Sequence, residues 1–451
     1  MELRHTDNSQ SRRPKGRVFA YCHDGVGLGH LSRTVTICER LTEAYPFATC
    51  LIATGSPYAS LFRSLARTDH IKLPALEKVD AQTYRGKHLA LPADRIIRCR
   101  EIILRHAIEQ FDPDVVLVDK APLGVCGELI PALEWLRANR PDTRVIFGMR
   151  DIEDAPQTTI DQWTSSGVMD GLATCFDEIW VYGSRDVMDV VKEYELSPRI
   201  ASKLRYMGYV TPPPCDGSEC ETRTGGNVLV TVGGGTDGQF LLETYLQGAA
   251  QRLAERGVGS TIVGGPDLPE PVAKRLRAIA AEIDGVEWVD FDRCMDCTIR
   301  SASLVVSMGG YNTVCQIVRN GKPALIIPRT KPRLEQAMRA RRWARRGLVE
   351  YVAPDGLTAE RLADRILDTL QAPASVDRIR LDFDGLDRIT ARLDAIWGIE
   401  RATNIYDKQP ALEPVSNPLH STTASEWHRP PTGEACPPPA VCEDLAHGVA
   451  A

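Results

Sequence analysis

"YCHDGVGLGHLSRTVTICERL", residues Tyr21–Leu41, is the stretch from which the rest of the chain is read. An apolar run, Val18-Phe19-Ala20-Tyr21, leads into glycines at positions 25, 27 and 29, then His30, then a segment with helical apolar spacing. A strand, a glycine turn and a helix open a βα unit. The dinucleotide fingerprint requires its third glycine where this chain has His30. It also requires an acid at the end of the next strand, which here ends Ala53-Thr54-Gly55-Ser56. NAD binding is therefore disfavoured. The turn still lets a ligand approach the backbone, and His30 stands at the mouth of the expected cleft with a pKa suited to proton transfer. A tight turn with a capping histidine is the plainer alternative.

The same grammar runs outward from this unit. Short apolar runs predict strands near 18–21, 49–53, 115–119, 145–148, 178–181 and 205–208. A second series follows near 227–232, 260–263, 286–289, 304–307, 324–327 and 349–352. Amphipathic segments between them, such as 94–110 and 124–139, predict helices. Strands apolar on both faces and alternating with helices define an α/β chain with two Rossmann-like, doubly wound parallel-sheet domains facing a cleft. The expected organisation is a flexible leader at 1–16, a first domain at 17–210 and a linker at 211–226. A second domain follows at 227–376, then a segment at 377–400 and a disordered tail at 401–451. The linker, "TPPPCDGSECETRTGG", and the proline-studded tail both lack periodicity.

Composition narrows the function classes. A net charge of −6 argues against a broad nucleic-acid surface, so the expected partners are small molecules or other proteins. No apolar run approaches the ~20 residues of a membrane span. Thirteen cysteines, an odd number, are scattered along the chain, which favours reduced thiols and a cytoplasmic location. Cys294-Met295-Asp296-Cys297 has no matching pair nearby in sequence, and Cys215 and Cys220 flank the linker, so no metal site is expected. Serine-hydrolase elbows, H-E-x-x-H and Walker loops are absent from the sequence.

Three further loops carry candidate chemistry. Gly233, Gly234 and Gly235 open "GGGTDG", a turn suited to a phosphate or simply a structural turn. "SMGGYNTVCQIVRNGKP", residues 307–323, places Gly309, Gly310, Asn312 and Thr313 at a helix start, where free N–H groups and the helix dipole favour a diphosphate. Gln316 lies about one turn in, within reach of a ribose. Glu335 and Gln336 open another helix and are suited to sugar hydroxyls. Arginines 339, 341, 342, 345 and 346 on that helix are expected to form a solvated face, with peripheral attraction to anionic lipid as the alternative.

These segments together carry a resemblance. "HDGVGLGHLSRT", "GMRDIEDAP", "FDEIWVYGS", "YMGYVTPPP", "VLVTVGGGTDG", "SMGGYNTVCQI" and "PRLEQAMRARR" run in order from about Val18 to Leu348. The chain resembles the bacterial predicted glycosyltransferases of the glycosyltransferase B fold, relatives of the N-acetylglucosaminyltransferase that completes lipid II. The resemblance implies a hexosyltransferase with no cofactor and no metal. It would use a nucleotide-sugar donor, UDP-linked, and an acceptor that is a sugar, a lipid-linked molecule or a small molecule. It implies a final helix at about 377–397 crossing back to the first domain. It places Gly29 and His30 at the reaction centre. His30 is then the candidate catalytic base, with Asp24 to orient it and Gly27, Gly29 and Asp151 on the acceptor side. It assigns the diphosphate to Gly309, Gly310, Asn312 and Thr313, the ribose to position 316, and the donor sugar to Glu335 and Gln336. Relatives usually carry Glu where this chain has Gln316; an amide still accepts a ribose hydroxyl but without charge assistance. "GLGHLSRT" also resembles the loop of a UDP-sugar hydrolase, and UDP-N-acetylglucosamine 2-epimerases share the architecture. Hydrolysis, epimerisation or a donor-binding module without turnover therefore stay open.

Overall fold

The computed structural model describes residues 16–23, 29–59, 66–78, 84–217, 228–371 and 381–400. The expected leader before Gly16, the tail from 401, Asp24, Gly25, Gly27 and Cys220 lie outside the described residues.

The first half builds a seven-stranded parallel sheet and a small hairpin. Its strands are β1 (Arg17–Cys22), β2 (Thr49–Thr54), β3 (Thr68–Lys72), the hairpin strands β4 (Leu76–Lys78) and β5 (Tyr84–Gly86), β6 (Val115–Asp119), β7 (Arg144–Arg150), β8 (Glu178–Tyr182) and β9 (Leu204–Tyr206). The sheet order is β3-β2-β1-β6-β7-β8-β9. The second half contributes β10 (Val228–Thr231), β11 (Ser260–Val263), β12 (Val286–Val289), β13 (Leu304–Ser307), β14 (Ala324–Ile326) and β15 (Glu350–Tyr351), ordered β12-β11-β10-β13-β14-β15. Every pairing in these two sheets is parallel.

The sequence explains which strands are central. β6, VVLVD, is buried at every position, and β10 and β13 are likewise fully buried. Polar residues stand only at the carboxyl ends of these buried strands, at Asp119, Thr231 and Ser307. β3, TDHIK, carries a single apolar residue, with no position fully buried. It lies at the sheet edge, and this mixed pattern is why it and the hairpin gave no apolar-run signal. The helix expected over 124–139 is broken. A short turn, Val125–Gly127, precedes the helix Ile130–Asn139. Residues 124, 126 and 127 take left-handed φ of 76°, 51° and 82°, which helical hydrogen bonding cannot absorb. The turn brings Glu128 beneath β1, where it accepts from the Tyr21 hydroxyl at 2.6 Å and from Arg100 at 2.5 and 2.6 Å.

The order of each sheet reverses at one place, between β1 and β6 and between β10 and β13. A crevice opens at the carboxyl ends of strands at such a reversal. The registers Cys22↔Asp119 and Thr231↔Ser307 put the loops leaving these strands side by side.

The halves are joined by a dense seam. Tyr209 packs edge-on against Trp343, with ring centroids 5.3 Å apart, and beside Tyr311 and Phe383. The helix Gly385–Trp397 returns to the first half. Tyr45 donates to Thr390 O and Asp394, both at 2.7 Å, and Arg392 pairs with Glu178. Arg339 is 1% exposed and holds Asp151 through several charge-assisted bonds, the shortest 2.7 Å. Arg342 bonds Glu193 and Val187 O, and Arg346 bonds Asp186 O. The expected solvated arginine face is thus corrected. Three of the five arginines reach the first half, while Arg341 and Arg345 are exposed. Counting arginines along the sequence could not separate these fates, because the partners come from β7, β8 and their following loops.

Candidate active site

His30 is the second residue of the helix Gly29–Ala44 that follows β1. Its Nδ1 lies 2.8 Å from Asp119 Oδ2, on the last residue of β6. Arg33, one turn along the same helix, binds both carboxylate oxygens at 2.6 and 2.8 Å. Arg33 and Arg339 lie over the ring of Tyr311 at 5.2 and 5.4 Å, joining this cluster to the second half. Burial and the nearby Arg33 and His30 act in opposite directions on Asp119, and its carboxyl is held down at about 2. It is therefore ionised and accepts. The imidazole must then carry its proton on Nδ1, which leaves Nε2 with a free lone pair. His30 Nδ1 and Arg33 Nη2 are 3.0 Å apart because both converge on Oδ2. Burial, only partly offset by Asp119, lowers the His30 pKa to about 4, so the ring is neutral at pH 7.

The orienting role expected of Asp24 lies outside the described residues. Among the described residues Asp119 holds the His30 ring, a contact that local sequence does not reveal. Asp151, expected on the acceptor side, is 1% exposed, and its carboxylate pairs with Arg339, which fastens the two halves.

A second polar group missed in the sequence stands beside His30. Lys120 follows Asp119 with a left-handed φ of 72° and pairs with Glu153. Arg150, at the end of β7, lies 3.6 Å from Glu153 and 3.9 Å from Glu335. Burial, with Arg150 and Arg333 close by, lowers the Lys120 pKa well below the usual lysine range. The available signal was a charged pair, Asp119-Lys120, ending a wholly apolar strand.

In the second half, Gly309 has φ 76°, and a Cβ there would meet Ile326 at 2.6 Å. Glycine is required for the chain to turn out of β13 into the helix Tyr311–Arg319. The residue before that helix, Gly310, supplies no side-chain cap, and no described residue beyond its chain neighbours lies within 4 Å of where its Cβ would be. The first N–H groups thus face a surface that an anion can approach. Asn312 donates from Nδ2 to Gly29 O at 2.9 Å, which brings the two switch-point loops together. Thr313 and Gln316 are half-buried on the same helix. Glu335 accepts from Arg329 at 2.7 Å, while its Oε2 is buried with no hydrogen-bond partner among the described residues. Gln336 accepts from the Arg329 N–H. The Gly233–Gly235 turn packs against its neighbour loop: Gly234 O accepts from Asp267 N at 2.7 Å, and a Cβ on Gly235 would meet Gly264 O at 2.6 Å. Close loop packing and a φ of 99° both account for glycine at 235, whereas no described residue beyond the chain neighbours lies within 4 Å of a Cβ built on Gly233.

Two parallel-sheet domains meeting at their switch points define the glycosyltransferase B class of architecture. Residues 228–378 match the model of the glycosyltransferase family 28 C-terminal domain. The chain is 27% identical over 187 residues to the UDP-N-acetylglucosamine–N-acetylmuramyl-(pentapeptide) pyrophosphoryl-undecaprenol N-acetylglucosamine transferase of Phenylobacterium zucineum, covering 40% of this chain and 51% of that one. It thus spans about half the length of this curated relative. Among solved structures, Acinetobacter baumannii MurG superposes with a TM-score of 0.53 at 14% identity, covering 85% of this chain and all of that one. A UDP-N-acetylglucosamine 2-epimerase gives 0.56 at 12%, with 88% and 99% covered. These likenesses establish the fold.

Proposed function

We propose that this protein is a glycosyltransferase that moves a hexosyl group, N-acetylhexosaminyl or hexose, from a UDP-sugar to a hydroxyl acceptor without a metal ion. The observation that carries the proposal is the contact of Asn312 with Gly29. It sets the His30–Asp119 pair of the first half against the helix start of the family 28 domain. His30 Nε2 takes the acceptor hydroxyl proton. The acceptor oxygen bonds to the anomeric carbon as the bond from that carbon to the diphosphate oxygen breaks, and UDP leaves. Asp119 keeps the imidazole in its Nδ1–H form and stabilises the imidazolium as it appears. The uncapped N–H groups after Gly310 receive the charge that develops on the departing diphosphate. Gln316 meets the ribose. Glu335 Oε2 is suited to accept a sugar hydroxyl, which would satisfy a buried oxygen that otherwise costs free energy. Gly29 borders the acceptor.

The relative's name supports a UDP-N-acetylglucosamine donor and a lipid-linked acceptor. A cytoplasmic location belongs to the same proposal; no helix among the described residues is long and apolar enough to cross a membrane. The test is incubation with a panel of UDP-sugars, with and without undecaprenyl-linked and soluble sugar acceptors. UDP release that requires acceptor is expected. The same His30 geometry also suits activation of water, so equal release without acceptor would replace transfer by hydrolysis. Binding without release would leave only a donor-binding module. Calorimetry with UDP in excess EDTA is expected to show undiminished binding, and its loss would contradict a metal-independent donor site.

A further inference from the structure

We infer that Cys215, Cys294 and Cys297 form a thiolate site for a thiophilic divalent ion, Zn²⁺ in type, that fastens the linker to the second half. The sequence offers only one C-x-x-C, but the fold adds a third thiol from a segment 79 positions upstream. The three Sγ atoms lie within 4.8 Å of one another. A tetrahedral ion with Zn–S bonds of about 2.3 Å has sulfur–sulfur edges of about 3.8 Å, so small rotations about χ1 bring the three sulfurs to one ion.

The surrounding bonds fix this arrangement. Asp296, between the two cysteines of the motif, is buried and accepts from the Cys215 N–H at 3.0 Å. It also accepts from Arg319 at 2.6 Å and Asn320 at 2.9 Å, so it pins the linker backbone above the helix Met295–Ser301. Arg300 donates to Cys215 O at 2.9 Å and to Cys297 Sγ at 3.1 Å. The Gly217 N–H donates to Cys215 Sγ at 3.4 Å. Two of the three sulfurs thus accept N–H hydrogen bonds, which offset the negative charge that thiolates bring to a metal. Three soft sulfur donors favour Zn²⁺-like ions over Mg²⁺ or Ca²⁺, which prefer oxygen. The described residues supply three of the four tetrahedral positions. Binding releases thiol protons to solvent and changes no oxidation state.

The full chain, reduced with a phosphine and desalted without oxygen, is titrated with Zn²⁺ against a chromophoric chelator and with Co²⁺ as an optical probe. About one equivalent is expected, with thiolate-to-cobalt charge-transfer bands and the d–d pattern of a tetrahedral site. Cys215→Ser and Cys297→Ser are each expected to weaken binding by ~100-fold or more. Arg300→Ala should weaken it ~10-fold or more by removing a hydrogen bond to sulfur. Cys99→Ser, on an unrelated helix, should bind like the wild type, with circular dichroism confirming the fold of every variant. Absence of metal binding by the reduced wild-type chain would overturn the inference. So would wild-type affinity in Cys215→Ser, or a disulfide among these cysteines that persists under the phosphine.

Discussion

The two halves build their sides of the cleft by different means. The second half uses backbone: Gly309, Gly310 and the uncapped start of the helix Tyr311–Arg319 lie within a few residues of one another. The first half uses side chains brought together from afar; His30 and Asp119 are 89 positions apart in sequence and 2.8 Å apart in space. A backbone anion site tolerates changes in side chains. A buried His–Asp–Arg cluster does not, because removing one member leaves the others charged or unsatisfied in a low-dielectric setting.

Asp119→Asn should therefore show the largest effect. It leaves Arg33 buried without its counter-charge, and the expected loss is about 3–5 kcal/mol of stability, read as a fall in the urea midpoint. An unchanged midpoint would mean that Arg33 finds another partner and that the cluster is not a unit.

The pH dependence of stability sharpens the same contrast. The folded His30 pKa, about 4, lies below its unfolded value, so the unfolded chain takes up the proton first as pH falls. Stability from this group is complete above about pH 6.5 and is lost as pH drops toward 4. His23, lowered to about 3 by burial and by the nearby His30 and Lys120, adds to the same slope. The His30 share is on the order of 3 kcal/mol. Thermal unfolding from pH 4 to pH 7 should show Tm rising, with the rise reduced in His30→Asn. An equal rise in that variant would place the titration elsewhere.

On the donor side the effects should be smaller. Gln316→Ala removes one expected hydrogen bond to ribose, worth about 0.5–1.5 kcal/mol, or roughly 2- to 12-fold in UDP affinity. Turnover at saturating donor should stay near wild type, and a collapse of turnover would move Gln316 into the chemistry. Smaller still is Arg342→Ala at the seam. This pair with Glu193 is partly exposed, so about 0.5 kcal/mol of stability is expected. A loss of several kcal/mol would show that the seam behaves as one network reaching from Arg342 to Arg339.

The contrast also explains what was legible in the sequence. Buried parallel strands such as Val115–Asp119 announce themselves as apolar runs, and the glycine turns and helix starts after β1, β10 and β13 are local patterns. His30 was visible for that reason. Asp119 was not, because its role depends on β6 lying next to β1, a fact of sheet order that no local pattern contains. Sequence alone shows Asp151 and Arg339 as two separate charges, 188 positions apart; the fold pairs them and buries both. The grouping of three thiols is hidden on the same ground: spacing along the chain shows Cys294 and Cys297, and the path of the linker brings Cys215 beside them.

The division of labour between the halves is tested most directly by measuring His30→Ala for both turnover and UDP-sugar affinity on the same preparation. A general base contributes ~10²–10⁴-fold, so turnover should fall by at least about two decades, a barrier increase of ~2.7 kcal/mol. The donor dissociation constant should change by less than about threefold, since the proposed donor loops lie on the other half. Near-normal turnover per folded molecule, with an early-melting protein, would contradict the account and reduce His30 to a helix-capping residue.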